Sequence, residues 1–250
     1  MSSKIPPLRS FAALAALSLL STAHAGTIIS ETFTGGSGTN LVGSATPDGN
    51  NWVGDGNNNF RQDGSTSSPT TDDGSAYHPF TLVQGSVYTL EADINVTNGG
   101  SQWWMIGFVD GTGPGTGNPI ADSNPADIWG LTLKDGNGTV SAWSGPDNSG
   151  TDIMSVEVFP SKIAVVLDTT NAVDYTVQVL QDGIEVLAAT PIGAPSINHI
   201  MFGATLGGGA AGNMNSITLT DGSSGGNTFM DWIGGFPGVG AETGLTDDPD

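Results

Sequence analysis

The sequence predicts an all-β protein, an antiparallel two-sheet jelly-roll β-sandwich with one short C-terminal helix. The first observation is the period-two alternation along residues 162–168 and 173–179, which is typical of strands with one buried face. The second is the Asp182–Gly183 pair that follows, because Asp and Gly tolerate the positive φ angles of a tight hairpin turn. The third is a series of short strand-like runs separated by turn residues, with no periodic segment of helical length before residue 222.

The N-terminus predicts an export signal over residues 1–25. Lys4 and Arg9 precede the apolar run 11–20, and Ala23 and Ala25 form a small-x-small cleavage site. A membrane anchor is the alternative, but a bilayer span needs about 20 apolar residues, which is longer than this run. We therefore expect a secreted or cell-surface protein with no transmembrane segment, a sandwich domain over residues 26–221 and a tail over 222–250.

Composition excludes several classes of function. The chain has 25 acidic and 5 basic residues and a formal net charge of −20, the reverse of the basic footprint that nucleic acids require. The same charge argues against anionic lipid surfaces. The absence of cysteine rules out disulfides and thiol catalysis. We expect no nucleic-acid partner and a monomeric protein.

The first half of the chain predicts strands bounded by Gly, Pro, Asn and Ser. Residues 86–96 place apolar side chains on one face and polar ones on the other, which indicates a core side and a water side. Residues 102–109 are apolar on both faces, which indicates a central strand. Residues 65–75 lack periodicity and predict a loop, and 110–125 predict a long loop. The predicted strands here are 27–33, 51–53, 59–62, 77–83, 86–96 and 102–109.

The second half continues the pattern. Strands are predicted at 128–133, 139–143, 162–168, 173–179, 185–187, 196–206 and 214–220. Residues 227–236 then offer an Asn cap, an i, i+3 apolar pair at Phe229 and Trp232, and a terminal Gly-Gly, so they predict the short helix.

Four segments together resemble the concanavalin A-like lectin/glucanase superfamily, and especially its laminin-G-like branch. They are YTLEADINV at 88–96, QWWMIGFVDG at 102–111, the strand–strand–hairpin unit at 162–186, and the strand pair at 199–222. The resemblance implies a sandwich that recognises an extracellular glycan or matrix component.

The tail from residue 229 resembles secreted surface proteins of the Planctomycetes–Verrucomicrobia type, in which a short helix, calcium loops and a sorting anchor follow the sandwich. That resemblance implies a bacterial chain truncated at its C-terminus. An ordinary acidic terminus is the alternative.

Catalysis is not expected. Retaining glucanases of the superfamily carry E-x-D-x-x-E on one strand, with paired carboxylates as nucleophile and acid/base. Glu91 and Asp93 match its first two positions, but Val96 stands where the third carboxylate belongs. Beyond the signal the histidines are His78 and His199, and neither lies in a hydrolase or zinc motif, so both are expected in loops or at the surface.

Tryptophan is the candidate sugar-stacking residue, because its ring face matches the apolar C–H face of a sugar. Trp103 and Trp104 are adjacent on one strand and must point to opposite faces, so one of them can line an open sheet face. Trp129 and Trp143 lie in the next hairpin and could extend that platform. The alternative is that all four are core or covered residues, since Trp is highly buried on average.

Calcium is the expected ion, because it prefers several carboxylate and carbonyl oxygens in a flexible loop. Asp110 begins the long loop that also contains Asp122 and Asp127, and Asp72 and Asp73 are alternatives. The leading hypothesis is a non-catalytic glycan- or matrix-recognition module. The alternatives are a structural or adhesive surface domain and a divergent glycan hydrolase or lyase.

Overall fold

The computed structural model describes most of the chain between residues 26 and 223. The described residues are 26–54, 60–69, 74–95, 101–111, 128–134, 139–144, 151–155, 161–207 and 212–223. Every regular element within these ranges is a strand. No helix long and apolar enough to cross a membrane occurs in this part of the chain. The predicted signal peptide, helix and acidic tail lie outside the described residues, apart from 222 and 223.

The described ranges contain sixteen strands. They are β1 (Gly26–Glu31), β2 (Thr39–Asn40), β3 (Val53–Gly54), β4 (Phe60–Gln62), β5 (Ser67–Pro69), β6 (Gly74–Pro79), β7 (Ser86–Asn95), β8 (Ser101–Val109), β9 (Ile128–Lys134), β10 (Thr139–Ser144), β11 (Thr151–Ser155), β12 (Ser161–Asp168), β13 (Tyr175–Gln181), β14 (Ile184–Gly193), β15 (His199–Gly207) and β16 (Asn213–Ser223).

The strands pair into two antiparallel sheets. Sheet A has nine strands in the order β14-β13-β12-β7-β16-β5-β4-β2, and β1 also pairs with β16. Sheet B has seven strands in the order β11-β10-β9-β8-β15-β6-β3. The chain crosses between the sheets several times, as between β6, β7 and β8, so neighbours in a sheet come from distant parts of the sequence. This is the predicted jelly-roll sandwich.

The main core lies between the two sheets. On β7 the residues Tyr88, Leu90, Ala92 and Ile94 are buried and their alternate neighbours are half-buried, which confirms the two faces predicted from alternation. Ring contacts join the layers: Phe60 of sheet A packs edge-on against Phe202 of sheet B, with ring centroids 4.9 Å apart. Burial of this shared apolar surface is the main stabilising term of the fold.

Sheet B is buried on both faces near its centre. Ile106 and Phe108 of β8 belong to the core between the sheets, whereas Met105 and Val109 belong to a separate buried cluster. Since successive strand residues face opposite ways, that cluster lies on the outward face of sheet B. Its members are Tyr77, Met105, Val109, Ile128 and Met201. The prediction that residues 102–109 form a central strand is confirmed.

Two predictions at the level of elements are corrected. Residues 65–75 are not a plain loop, because β5 pairs there with β4 and β16, and β6 begins at Gly74. The strand predicted at 77–83 ends at Pro79, and the chain then turns towards β7. Strands β2 and β11 were not predicted. β2 consists of two polar residues and β11 has the sequence Thr-Asp-Ile-Met-Ser, so neither shows a clear alternation of apolar and polar residues.

Candidate functional site

Two of the four candidate tryptophans are core residues. Trp104 is 1% exposed and Trp129 is 2% exposed, and both belong to the cluster between the sheets. Trp104 packs against Phe60 at 6.2 Å between ring centroids. Burial leaves neither ring a free face for a sugar, so the structure removes both from the predicted platform.

The strand register gives the positions of the other two candidates, Trp103 and Trp143. Trp103 lies next to Trp104 on β8 and pairs with Thr205 and Lys134. Trp143 on β10 pairs with Gly130 of β9, which in turn pairs with Gly107 of β8. The assignment of a stacking role to these two tryptophans stays a prediction.

The predicted calcium ligands are placed in part. Asp110 directly follows β8 and is exposed. Asp122 and Asp127 lie outside the described residues. Within the ranges that the structure covers, no group of three or more His, Cys, Asp or Glu side chains comes together as a metal site.

The name rim site is used here for Asp110, Asn198 and His199, whose backbones lie close together at one end of sheet B. The main-chain N–H of Asn198 donates to the carbonyl of Val109 at 3.1 Å, which holds Asn198 next to the residue that precedes Asp110. The N–H of Phe80 donates to the carbonyl of Asn198 at 3.0 Å. Three strand ends, those of β6, β8 and β15, therefore fix the backbone of this site.

The side chains of the rim site are accessible. Asp110 and Asn198 are exposed and His199 is half-buried. The Nδ1 atom of His199 lies 2.5 Å from Oδ1 of Asn198. An amide oxygen accepts hydrogen bonds and cannot donate them, so the imidazole proton sits on Nδ1 and donates to Asn198.

The surroundings of His199 favour the neutral form of its imidazole. Burial lowers its pKa, and the charge that nearby His78 can carry lowers it further. With Nδ1 protonated, Nε2 has a free lone pair. The site thus combines a carboxylate acceptor at Asp110, an amide donor at Asn198 Nδ2 and an imidazole acceptor at His199, which can bind ligand hydroxyl groups.

The carboxylates of the incomplete glucanase motif lie elsewhere. Glu91 and Asp93 are on the half-buried, outward side of β7, in sheet A. Asp93 accepts a hydrogen bond from Nδ2 of Asn215 at 3.0 Å, and its strand neighbour on β12 is Lys162. Asp93 therefore already has an amide partner and a basic strand neighbour, and neither carboxylate belongs to the rim site.

His78 differs from the prediction of a loop or surface position, whereas His199 is accessible but lies on a strand. His78 is fully buried on β6, and His199 is half-buried at the start of β15. Asn198 was not singled out from the sequence at all. Little in the sequence indicates a role for Asn198, because an Asn-His pair shortly after Pro195 is typical of the end of a loop. Only the pairing of β15 with β8 brings Asn198 close to Asp110.

Comparison with known proteins gives likenesses of fold. No protein-family model matches the chain, and no curated protein matches its sequence. The structure is similar to the carbohydrate recognition domain of Emp46p in its metal-free form, with a TM-score of 0.48, 13% identity, and coverage of 73% of this chain and 94% of that one.

Two further solved structures are similar over much of this chain. The exoplasmic/lumenal domain of VIP36, in its Ca²⁺/Man-bound form, gives a TM-score of 0.42 at 13% identity, covering 78% of this chain and 91% of that one. A Trypanosoma rangeli sialidase gives 0.47 at 14% identity, covering 78% of this chain and 30% of that one. The similar structures therefore include a carbohydrate recognition domain and an enzyme. Because these likenesses concern the fold alone, the argument for function rests on the rim site.

Proposed function

We propose that this protein is a secreted or cell-surface, non-catalytic carbohydrate-recognition module that binds glycans at the rim site. The observation that carries the proposal is the accessible Asp110–Asn198–His199 cluster, whose backbone is fixed by three strand ends. A site on rigid strand ends loses little conformational entropy when it orders a ligand.

The chemistry of the cluster suits a polyol. A sugar hydroxyl donates one hydrogen bond and accepts others, so a carboxylate beside an amide can engage two neighbouring hydroxyls at once. The Asp110 carboxylate and His199 Nε2 accept, and the Asn198 amide donates. Hydrogen bonds to a charged acceptor contribute about 1.5–3 kcal/mol, so Asp110 is the residue expected to matter most.

Calcium and two tryptophans extend the proposal. Asp110, Asp122 and Asp127 are proposed to share a calcium ion, since Asp110 is an exposed oxygen donor at the start of the segment that contains the other two. Trp103 and Trp143 are proposed as stacking residues. Their support is the strand register, in which Trp103 is adjacent to the buried Trp104 on β8 and Trp143 pairs with Gly130 of β9.

The test is retention of the protein on immobilised polysaccharides, with and without added calcium. Asp110→Asn and Asn198→Ala should weaken retention about tenfold or more, because each removes a hydrogen-bonding group from the ligand. The matched controls are Glu91→Gln on sheet A and Asn40→Ala on β2, which change the same chemical groups away from the rim. Equal losses in the controls would argue for a general effect on the fold.

A structural or adhesive surface domain is the second candidate. The burial of Trp104 and Trp129 favours it, because core tryptophans serve stability and are not available to a ligand. In that case no polysaccharide would retain the protein under either calcium condition, and the rim variants would behave like wild type.

A further inference from the structure

The first strand begins in contact with a carboxylate. The main-chain N–H of Gly26, the first residue of β1, donates to Oδ1 of Asp221 on β16, with 3.0 Å between the two atoms. Gly26 and Asp221 are also directly paired in the antiparallel ladder of β1 and β16. Gly26 is exposed and Asp221 is half-buried, so solvent reaches the contact. The fold thus holds the nitrogen of Gly26 against an acid from the far end of the chain.

The contact depends on the absence of a side chain at residue 26. A Cβ added to Gly26 would lie 2.7 Å from Oδ1 of Asp221, which is too close for two non-bonded atoms. The atoms nearest to that Cβ belong to the Asp221 carboxyl group, the end of a side chain that can rotate. An alanine at this position would therefore displace the carboxylate from the nitrogen and leave the strand in place.

The predicted export signal ends at the same nitrogen. Ala23 and Ala25 form the small-x-small cleavage site, so the predicted cut is the peptide bond between Ala25 and Gly26. That prediction uses only the residues before Gly26, whereas the contact with Asp221 follows from the pairing of β1 with β16. Two independent observations therefore select one backbone atom.

We propose that Asp221 binds the mature N-terminus of the protein, an α-ammonium group created on Gly26 when an endopeptidase removes residues 1–25. Hydrolysis breaks the bond between the Ala25 carbonyl carbon and the Gly26 nitrogen. Water adds its hydroxyl to that carbon and a hydrogen to the nitrogen, after which the new carboxyl group releases a proton and the new amine takes one up. This proposal rests on the export part of the proposed function and not on glycan binding.

Cleavage strengthens a contact that the fold already provides. Before the cut, the Gly26 nitrogen is a neutral amide with one N–H group. Afterwards it is a cation with three donors, and hydrogen bonds between charged partners are stronger than those between neutral ones. Asp221 faces this nitrogen from β16, the strand that pairs with β1. The charged residue of β1 itself is Glu31, at the other end of the strand, where it accepts from the N–H of Phe33.

The pair has a defined pH dependence. An ordinary α-amino group has a pKa of about 7.7–8.0, and a carboxylate in contact favours its charged form, so folding raises this pKa. The folded protein then binds the proton more tightly than the unfolded chain. The stabilisation is complete below about pH 7.7 and is lost as the pH rises through the raised pKa of the folded state.

The first test is the N-terminus of the exported protein. The full chain is expressed with its signal in a secreting bacterium, and the mass of the N-terminal peptide identifies the first residue. We expect Gly26. An uncleaved chain, or a cut at any other bond, would overturn the proposal, because another atom would then carry the charge.

The second test is the titration of the Gly26 amine. Because only the neutral amine reacts with limiting acetic anhydride, the rate of acetylation between about pH 6 and about pH 10 gives its pKa. The midpoint should lie about 0.5 pH units higher in wild type than in Asp221→Asn, which keeps an acceptor oxygen but loses the charge. Glu91→Gln is the matched control, because it removes a carboxylate from β7 of the same sheet and should leave the midpoint near that of wild type.

Gly26→Ala tests the pair without changing a charge. Its Cβ displaces the carboxylate, so the midpoint should fall towards that of Asp221→Asn, while the residues before the cut are unchanged. Equal midpoints in wild type and Asp221→Asn, or an equal shift in Glu91→Gln, would overturn the assignment of Asp221. Retention on polysaccharides distinguishes this proposal from glycan recognition. A terminus at Gly26 with a raised midpoint but no retention would contradict the rim site alone.

Discussion

At the scale of single residues, Trp104 decides between a core role and a binding role. Its indole N–H is buried, and no described group accepts a hydrogen bond from it. Trp104→Ala should destabilise the protein by about 3–5 kcal/mol, because a large buried ring is lost. Trp104→Phe should cost much less, since it keeps an aromatic ring and removes a buried donor that lacks a partner. Urea unfolding monitored by circular dichroism measures both, and a small effect of the alanine variant would contradict the core assignment.

The same residue shows where sequence reasoning stops. Alternation along β8 predicted that Trp103 and Trp104 face opposite ways, but not which of them points inward. That choice depends on the register with β15, where Trp104 pairs with Ala204. Asp110 and Asn198 show the same limit. They are 88 positions apart, and their proximity comes from the pairing of β8 with β15, which no local pattern encodes.

At the scale of elements, the hairpin between β13 and β14 is specified locally. Asp182 and Gly183 have φ angles of 50° and 79°, as the predicted tight turn requires. Asp182 Oδ1 also accepts from the N–H of Lys162 at 2.8 Å. We expect Gly183→Ala to cost about 1 kcal/mol, because alanine resists positive φ, and Asp182→Asn to be nearly neutral. Thermal unfolding of the two variants checks this, and similar losses in both would point to the side chain instead of the backbone.

The contact between β8 and β9 depends on glycine in a different way. A Cβ at Gly130 would lie 2.0 Å from the carbonyl oxygen of Ile106, and at Gly107 it would lie 2.5 Å from that of Trp129. Gly130→Ala should therefore destabilise the protein by about 1–3 kcal/mol through overpacking of two backbones. Gly36→Ala is the matched control, because its nearest neighbour is a Thr39 methyl at 3.9 Å. Equal unfolding midpoints for the two variants would refute the close approach.

Predictability varied among elements for a physical reason. Strands β7, β12 and β13 are long and bury one face, so their alternation was visible in the sequence. Strands β2 and β5 have two and three residues, and their pairing with β4 is fixed by tertiary context. Short edge pairings of this kind leave almost no periodic signal.

At the scale of the whole molecule, net charge restricts the class of glycan. Arg61, Lys134 and Lys162 are the basic residues after the predicted signal, against 25 acidic ones. By register, none of the three is near the rim site. Arg61 on β4 and Lys162 on β12 belong to sheet A. Lys134 is the last residue of β9, whereas the first residue of that strand, Ile128, is the one that pairs with Val109 beside the rim site. In the absence of calcium, a carboxylate or sulfate on a ligand would meet Asp110 and the His199 imidazole, with none of these three basic residues nearby to pair with.

Neutral polysaccharides should therefore be retained more strongly than uronic-acid or sulfated ones of matched backbone and length. The difference should shrink as salt rises from about 0.01 M to about 1 M, because the screening length falls from about 30 Å to about 3 Å. Affinity electrophoresis in gels containing each polysaccharide measures both effects, with Asn198→Ala as the site-specific control. Stronger retention by the anionic polymers without calcium would contradict this charge argument, while retention by neither class would instead contradict glycan binding at the rim.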